Sequence, residues 1–381
     1  MAWTKFEHYA VGLMLISGTL TSVLLNLTET LLARGTLDNY SGKKHIFWHP
    51  FFMVTCMFIG EFCCLFVYYL VRWARYSDAP IDRDGGKFNP LIFFPAALLD
   101  LIQMVLFFLG ISLVLFIQIT PFQLMKGVML IFVSLLSVAF FGLSLSKQKW
   151  LGIFFIVIGL VIVGLPNLYN RIEDGDKIQK YSVIAGELFI AMSQMLAAIL
   201  VVYEQYWIQR CNILPLAVIG WEGLFGTMMA IGMLVGFYNF RANNFSNLPS
   251  HRLEDALDAM KQIGSSWRIS LSVLGTMISF AAFRFAGVTL TKHWNATTRI
   301  IFECLCVVFI WIAMVPAHWR HDLWYTPFGL ILILLGFSSF YGLIFQRAFC
   351  RCNITWCNRR GNDELLIPVD QDGNGSIQEI A

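Results

Sequence analysis

Eight of the ionisable residues inside the long apolar segments of this chain are candidates for function, because burying a charge there is expensive. In chain order they are Glu61, Asp100, Lys126, Glu187, Glu222, Arg284, Arg299 and Glu303. Such residues can pair with one another, bind a polar solute or exchange protons. The sequence contains no glycine-rich phosphate loop, no histidine cluster with metal-ligand spacing and no nucleophile elbow. It therefore favours a non-enzymatic role that needs no cofactor and no metal site.

The composition places most of the chain in lipid. Hydrophobic residues make up 57% of it and charged residues 13%, against roughly 45–50% and about 25% in soluble domains. Ten apolar segments reach the ~20 helical residues that cross a membrane, at 8–26, 49–71, 90–111, 119–144, 148–167, 183–207, 213–238, 269–290, 295–316 and 324–346. Because hydrocarbon leaves no alternative to helix, we predict an all-α membrane protein with ten transmembrane helices in the lipid bilayer. The net charge of +3 does not favour nucleic acid as a partner.

The two halves of the chain match each other when one is shifted by 177 positions. Without a gap, this shift aligns Gly110 with Gly287, Leu113 with Leu290, Thr120 with Thr297, Gly152 with Gly329 and Gly159 with Gly336. Five spans separate the copies, and because five is odd the second copy enters the membrane from the opposite face, as in secondary transporters. The alternative is coincidence among glycine-rich helices. We predict two inverted five-helix repeats, at 1–170 and 181–346, followed by a flexible cytosolic tail at 347–381.

The same shift aligns Lys126 on the fourth span with Glu303 on the ninth, so opposite charges occupy equivalent positions. In one interpretation the two side chains face a substrate site from the two halves. In the other they form a permanent ion pair that joins the two helices. Gln123 lies one turn before Lys126 and shares its face, as Arg299 does with Glu303. Arg299 is also a candidate local partner of Glu303.

Glu61 and Glu222 lie mid-helix in the second and seventh spans, which correspond by order in the two repeats. Carboxylates there are typical of proton coupling, or they form polar contacts between helices. Asp100 shares a face with Gln103, for which a structural role is favoured, and Arg284 is expected to extend to the membrane interface. Five mid-span carboxylates against one to three cations predict a cationic solute, or a neutral solute moved with protons, rather than a dianionic diphosphate.

Six short runs of the sequence resemble a known family. They are Trp48-His49-Pro50-Phe51, Pro121-Phe122-Gln123-Leu124-Met125-Lys126-Gly127, Trp150-Leu151-Gly152, Glu222-Gly223-Leu224-Phe225-Gly226, Leu253-Glu254-Asp255-Ala256-Leu257-Asp258-Ala259 and Asn295-Ala296-Thr297-Thr298-Arg299. Together they resemble subfamily F of solute carrier family 35, in the drug/metabolite transporter superfamily, over roughly residues 1–345. The resemblance implies a ten-helix fold of two inverted halves and a carrier role, with Asn295 added to the candidate site. It names no substrate, because the family spans nucleotide sugars, vitamin-like cations and nucleoside-like molecules.

The sequence thus predicts a secondary carrier that moves a small polar metabolite across an organelle membrane by alternating access. The alternative is a membrane scaffold or regulator that keeps the carrier fold without transport. Gly232 and Gly236 are four residues apart on the seventh span, a spacing that indicates close helix packing. This packing is either within the chain, which is favoured, or between the two copies of a homodimer.

Topology and location rest on weaker signals. Short connections rich in arginine and lysine predict that both termini lie in the cytosol. Three sequons, at Asn26, Asn39 and Asn244, then fall on the opposite side and favour a glycoprotein. The tail segment Asp363-Glu364-Leu365-Leu366-Ile367 resembles an acidic dileucine sorting signal. We expect a lysosomal, endosomal or Golgi membrane, with a mitochondrial membrane as an open alternative.

Overall fold

The structure is a computed structural model that describes residues 5–28, 36–37, 44–45, 47, 49–76, 88–114, 120–142, 145–174, 177–240, 252–314 and 326–341. Its α-helices within these ranges are α1 (Lys5–Asn26), α2 (Pro50–Tyr76), α3 (Phe94–Val114), α4 (Thr120–Phe141), α5 (Lys147–Asp174), α6 (Lys177–Cys211), α7 (Pro215–Asn239), α8 (Ala256–Ser265), α9 (Trp267–His293), α10 (Ala296–Met314) and α11 (Thr326–Phe340). A short 3-10 helix at Pro90–Phe93 leads into α3. Strand β1 (Thr36–Leu37) pairs antiparallel with β2 (Lys44–His45).

Seven segments of the described helices are long and apolar enough to cross a membrane. They are Phe6–Leu25, Pro50–Ala74, Pro90–Ile111, Ile184–Cys211, Pro215–Asn239, Trp267–His293 and Ala296–Ala313, with two shorter apolar helices at Lys126–Phe141 and Pro327–Phe340. The chain is therefore a multi-pass helical membrane protein. Each of the ten predicted spans overlaps a helix of the structure, whereas the ten-residue helix α8 was not predicted.

Helices α5 and α11 cross at glycines so closely that their backbones touch. A Cβ atom at Gly159 would lie 2.6 Å from the carbonyl oxygen of Gly329, and one at Gly152 would lie 2.8 Å from that of Gly336. In return, Cβ atoms at Gly329 and Gly336 would each lie 2.7 Å from a glycine carbonyl oxygen of α5. The four glycines are those that the shift of 177 aligns. The shift therefore exchanges the two contacts with each other.

A similar close crossing joins α2 to α7. A Cβ atom at Gly220 would lie 2.6 Å from the Cα of Leu65, and one at Gly223 would lie 2.6 Å from the carbonyl carbon of Glu61. Only a glycine admits a backbone this near. The crossing holds Glu61 of α2 and Glu222 of α7 side by side in the protein interior, and both are fully buried.

Gly232 and Gly236 lie further along α7 and behave differently. Among the described residues, no atom lies within 4 Å of the position that a Cβ atom would take at either glycine. The prediction that these two glycines pack within the chain is therefore wrong. They lie on the outer surface of α7, where the homodimer interpretation stays a prediction.

These two kinds of glycine predict opposite effects of the same substitution. Gly159→Leu should lower the free energy of unfolding by about 1–3 kcal/mol or more, because the side chain must push α5 and α11 apart. Gly232→Leu adds the same atoms at an open position of α7 and should leave stability nearly unchanged. Thermal unfolding of both variants in detergent checks this. Equal unfolding midpoints for the two variants would contradict the crossing.

Helix α1 packs along α9 through small polar residues. The hydroxyl of Thr21 donates to Ser279 Oγ at 2.9 Å, and the hydroxyls of Thr28 and Ser272 lie 2.6 Å apart. Thr28 is buried and belongs to the sequon that begins at Asn26, the last residue of α1. Glycosylation at Asn26 stays a prediction. The sequons at Asn39 and Asn244 and the predicted tail at 347–381 lie outside the described residues.

Candidate functional site

Arg284 on α9 is surrounded by carboxylates from four other helices. Its Nε donates to Glu61 Oε1 at 2.8 Å, and its Nη2 donates to Glu222 Oε2 at 2.8 Å. The same Nη2 lies 3.1 Å from Glu204 Oε1 and 3.4 Å from Asp100 Oδ2. Only 5% of the arginine is exposed. Arg284 is therefore the centre of a buried ionic cluster, and the prediction that it extends to the membrane interface is wrong.

The physical reason lies in the length of α9. The helix continues to His293, which places Arg284 nine residues, or about 13 Å, before its end. A guanidinium reaches the interface only when its helix ends close by. Here α2, α3, α6 and α7 instead supply carboxylates that pair with it, as a buried cation requires.

A second group of charges joins α4 to α10. Lys126 Nζ donates to Glu303 Oε2 at 2.8 Å, and Arg299 Nε donates to Glu303 Oε1 at 3.2 Å. The side chains of Lys126 and Glu303 are only 15% and 4% exposed. The shift of 177 thus aligned two residues that do make contact. The predicted local pair between Arg299 and Glu303 is also present, and it accompanies the lysine rather than replacing it.

Glu204 on α6 connects the two groups and was not predicted from the sequence. Its Oε2 accepts a hydrogen bond from Arg299 Nη1 at 2.7 Å, while its Oε1 lies 3.1 Å from Arg284. The predicted sixth span ended at 207, close to Glu204, so this carboxylate was not counted as buried. In the structure α6 continues to Cys211, which places Glu204 about 10 Å inside the helix.

Two glutamines at helical spacing on α6 were the signal for this longer helix. Gln205 Oε1 accepts a hydrogen bond from the backbone N–H of Ala296 at 2.8 Å. Gln209 Nε2 donates to the carbonyl oxygens of Thr291 and Trp294, at 3.2 and 3.1 Å. Both amides therefore bind the connection between α9 and α10. The two glutamines hold α6 against the end of α9 and the start of α10, the helices that carry Arg284 and Arg299. These contacts keep Glu204 close to both arginines.

The remaining predicted site residues have other surroundings. Gln103 Nε2 donates to Asp100 Oδ1 at 2.8 Å, so the predicted pair on α3 is present, and Asp100 also approaches Arg284. Asn295 Oδ1 accepts a hydrogen bond from the backbone N–H of Thr298 at 2.8 Å, which caps the start of α10. This contact gives Asn295 a structural role. The side chain of Gln123 lies outside the described residues.

The complete network therefore contains three cations and five carboxylates. The cations are Lys126, Arg284 and Arg299, and the carboxylates are Glu61, Asp100, Glu204, Glu222 and Glu303. Seven helices contribute these side chains, namely α2, α3, α4, α6, α7, α9 and α10. With every group ionised, the network carries a formal charge of −2. Among the described residues, no group of three or more histidine, cysteine, aspartate or glutamate side chains is arranged to hold a metal ion.

The chain is similar to known membrane proteins along most of its length. It is 37% identical over 345 residues to human solute carrier family 35 member F6, a match that covers 90% of this chain and 91% of that protein. The chain belongs to subfamily F of solute carrier family 35. The mouse member F6 is 34% identical over 344 residues, with 90% of each chain covered. An uncharacterized protein of Schizosaccharomyces pombe is 22% identical over 293 residues, or 76% of this chain and 85% of that one.

Membership of solute carrier family 35 supports transport as the class of activity. No protein-family model matches the sequence. A solved crystal structure that is 13% identical covers 88% of this chain and 99% of its own, with a TM-score of 0.57, and this likeness concerns the fold alone. The family and the membrane helices together support a solute carrier that acts as a transporter. The buried charged residues are therefore to be interpreted in terms of transport.

A smaller polar cluster lies at the N-terminal end of α2 and connects it to the segment that precedes α8. Glu254 Oε1 lies 2.7 Å from His49 Nδ1, and its Oε2 accepts hydrogen bonds from the backbone N–H groups of Phe51 and Phe52 at 3.0 and 3.4 Å. His49 Nε2 lies 3.4 Å from Asp258 Oδ2. The carboxylate of Glu254 thus occupies the N-terminus of a membrane-spanning helix, where the helix dipole favours negative charge.

This cluster predicts a pH-dependent stability of the solute carrier. Burial lowers the pKa of His49, but the adjacent carboxylates of Asp258 and Glu254 raise it to about 9, from 6.5. Because the pKa is higher in the folded state, the stabilisation is complete below pH 6.5 and is lost as the pH rises through 9. The thermal unfolding midpoint of the wild type should therefore decrease as the pH rises from 6.5 to 9. The decrease should be smaller in His49→Gln. His8→Gln, at an exposed histidine, is the control. The prediction is wrong when the unfolding midpoint of His49→Gln depends on pH as steeply as that of the wild type.

Proposed function

We propose that this solute carrier moves a small polar metabolite by alternating access between two inverted five-helix repeats, 1–170 and 181–346. The repeats form the ten-helix drug/metabolite transporter fold. The transported solute binds at the charged network, where Lys126 and Glu303 contact each other from the two repeats. The carrier works in an organelle membrane, and the dileucine-like run in the tail favours a lysosomal or endosomal one.

The contact between Lys126 and Glu303 is the observation that carries this proposal. These residues are separated by the shift of 177, so each contacts its own equivalent in the other repeat. A residue can touch its equivalent only near the axis that relates two repeats. A pair of opposite charges at that position lies where the repeats must move past each other during alternating access.

The packing of the helices supports the same axis. The glycine contacts between α5 and α11 exchange partners under the shift. The packing of α3 along α6 has a counterpart in the packing of α9 along α1, as expected when the third and eighth spans, and the first and sixth, are equivalent.

The charge of the network bears on the solute. Five carboxylates and three cations leave a formal excess of two negative charges, and buried charge without a partner is unfavourable. A nucleotide sugar would add two more negative charges to this site. A cationic solute, or a neutral nucleoside-like or vitamin-like solute moved together with protons, balances the network better. Among the substrate classes of the family, we therefore favour these over nucleotide sugars.

An uptake screen tests the proposal. Purified carrier in proteoliposomes is offered labelled nucleotide sugars, nucleosides and organic cations, with and without a pH gradient. We expect uptake of a cationic or neutral polar solute above that of protein-free vesicles. Absence of uptake for every solute, together with no shift of the thermal unfolding midpoint by any of them, would instead support a scaffold or regulator that keeps the carrier fold.

A further inference from the structure

Three carboxylates approach a single nitrogen of Arg284, more than the hydrogens of that nitrogen can satisfy. Nη2 carries two hydrogens, and three carboxylate oxygens lie near it, Glu222 Oε2 at 2.8 Å, Glu204 Oε1 at 3.1 Å and Asp100 Oδ2 at 3.4 Å. Only the oxygen of Glu222 has the geometry of a hydrogen bond to this nitrogen. One nitrogen therefore serves three acidic groups and cannot satisfy them all.

Each carboxylate around Arg284 also leaves one oxygen without a donor. Glu61 Oε2, Asp100 Oδ2, Glu204 Oε1 and Glu222 Oε1 are buried and accept no hydrogen bond among the described residues. A buried oxygen that is both charged and without a donor is strongly unfavourable. A proton on one carboxyl group removes its charge and supplies an O–H donor to a neighbouring oxygen. Protons bound to these carboxyl groups would therefore supply the hydrogen bonds that the guanidinium of Arg284 does not provide.

The other groups near Arg284 do not supply the missing positive charge. The charged and titratable groups that face this cluster are Glu61 and Cys64 on α2, Asp100 on α3, Tyr203 and Glu204 on α6, Glu222 on α7, and Arg299 on α10. The thiol of Cys64 and the phenol of Tyr203 provide no positive charge, and Tyr203 donates its hydroxyl to the carbonyl oxygen of Ile92. Arg299 is shared between Glu204 and Glu303. The excess negative charge thus stays with the carboxylates.

We propose that the Arg284 cluster, which consists of Arg284, Glu61, Asp100, Glu204 and Glu222, binds exchangeable protons that are coupled to the transported solute. The inference rests on the proposed function and adds its coupling ion. A proton from water on one side of the membrane forms an O–H bond with a cluster carboxylate, and the same bond breaks when the proton returns to water on the other side. The four carboxylates share about two protons, which offset the formal excess of two negative charges.

Glu204 transmits the protonation state to the solute site. It lies between Arg284 and Arg299, and Glu303 lies between Arg299 and Lys126. When the cluster loses a proton, its added negative charge draws Arg284 away from Glu204. Glu204 then holds Arg299 more strongly, and the hold of Arg299 on Glu303 weakens. Glu303 becomes available to a cationic group of the solute, so proton release favours solute binding.

Infrared spectroscopy of the purified full-length carrier tests this without a transported solute. A protonated carboxylic acid has a carbonyl stretch that ionised carboxylates lack. At pH 7 this band should be present in the wild type and reduced by roughly equal amounts in Glu61→Gln, Asp100→Asn and Glu222→Gln, since each variant removes one negative charge and hence about one proton. Glu7→Gln removes a carboxylate at the start of α1, outside the cluster, and should leave the band unchanged.

Three isosteric variants keep the test decisive when one of them fails to fold. The inference is overturned when the variants that fold retain the same acid band as Glu7→Gln, because all cluster carboxylates are then ionised. That result leaves the carrier proposal intact, since it makes no statement about uptake. Conversely, an acid band that depends on the cluster in a protein without uptake supports a proton-binding site and removes the carrier proposal.

Discussion

Arg284→Gln is expected to lower the free energy of unfolding by about 3–5 kcal/mol, the range typical for removing one partner of a buried ionic group. The substitution leaves Glu61, Glu204 and Glu222 buried together without the cation that they contact. Thermal unfolding in detergent, with binding of a thiol-reactive dye to newly exposed cysteines, measures the effect. Arg268→Gln on the same helix is the matched control, because Arg268 is exposed and its loss should change stability little.

A triple variant separates the charge of Arg284 from its packing. Neutralising Glu61 and Glu222 as glutamines in the Arg284→Gln background removes two of the carboxylates that the variant leaves unpaired. This variant should recover part of the lost stability, because neutral amides can donate to the remaining oxygens. If Arg284→Gln unfolds at the same temperature as Arg268→Gln, the arginine is not the electrostatic centre of these helices.

Glu303→Gln and Lys126→Ala should each reduce uptake about 30-fold or more, since truncating one partner of a buried, hydrogen-bonded charge pair changes binding by 2–5 kcal/mol. The two residues contact each other across the proposed axis at 2.8 Å. Initial rates are measured in proteoliposomes with the solute that the uptake screen identifies. Lys261→Ala removes an exposed lysine on α8 and is the matched control.

Comparing uptake with stability in these variants distinguishes the two interpretations of the pair formed by Lys126 and Glu303. A permanent ion pair that only joins α4 to α10 predicts lower stability with normal uptake by the folded fraction. A transport site predicts lost uptake in variants that remain folded, as judged by gel filtration and by the unfolding midpoint. Normal rates per folded molecule in both Glu303→Gln and Lys126→Ala would remove this pair from the transport site.

The shift of 177 was informative because it depends only on the order of residues. In the proposed two-repeat arrangement, equivalent residues lie close together only near the axis, and the shift pointed to Lys126 and Glu303, which contact each other in the structure. The spans were predictable for a similar reason, since the thickness of the hydrocarbon core sets the length of an apolar helix. The length of an apolar segment and the shift between two parts of the chain can both be found without knowing how the helices pack.

The environment of Arg284 could not be predicted in the same way. It depends on where α2, α3, α6 and α7 converge, and no sequence spacing reports that convergence. Glu204 was missed because apolar content marks the end of a span in lipid, whereas α6 continues beyond it through amides that bind the α9–α10 connection. His49 and Glu254 illustrate the same limit, since they meet from segments 205 residues apart.

Alternating access is tested most directly by counterflow. Proteoliposomes that contain the wild-type carrier are loaded with unlabelled solute and diluted into a trace of the labelled solute. A carrier whose site opens to one side at a time should accumulate labelled solute inside the vesicles transiently above the equilibrium level. Each time the carrier moves unlabelled solute outward, its site becomes accessible from outside and can bind labelled solute for inward transport. Label that only approaches equilibrium, at a rate independent of the internal solute, would contradict alternating access by this protein.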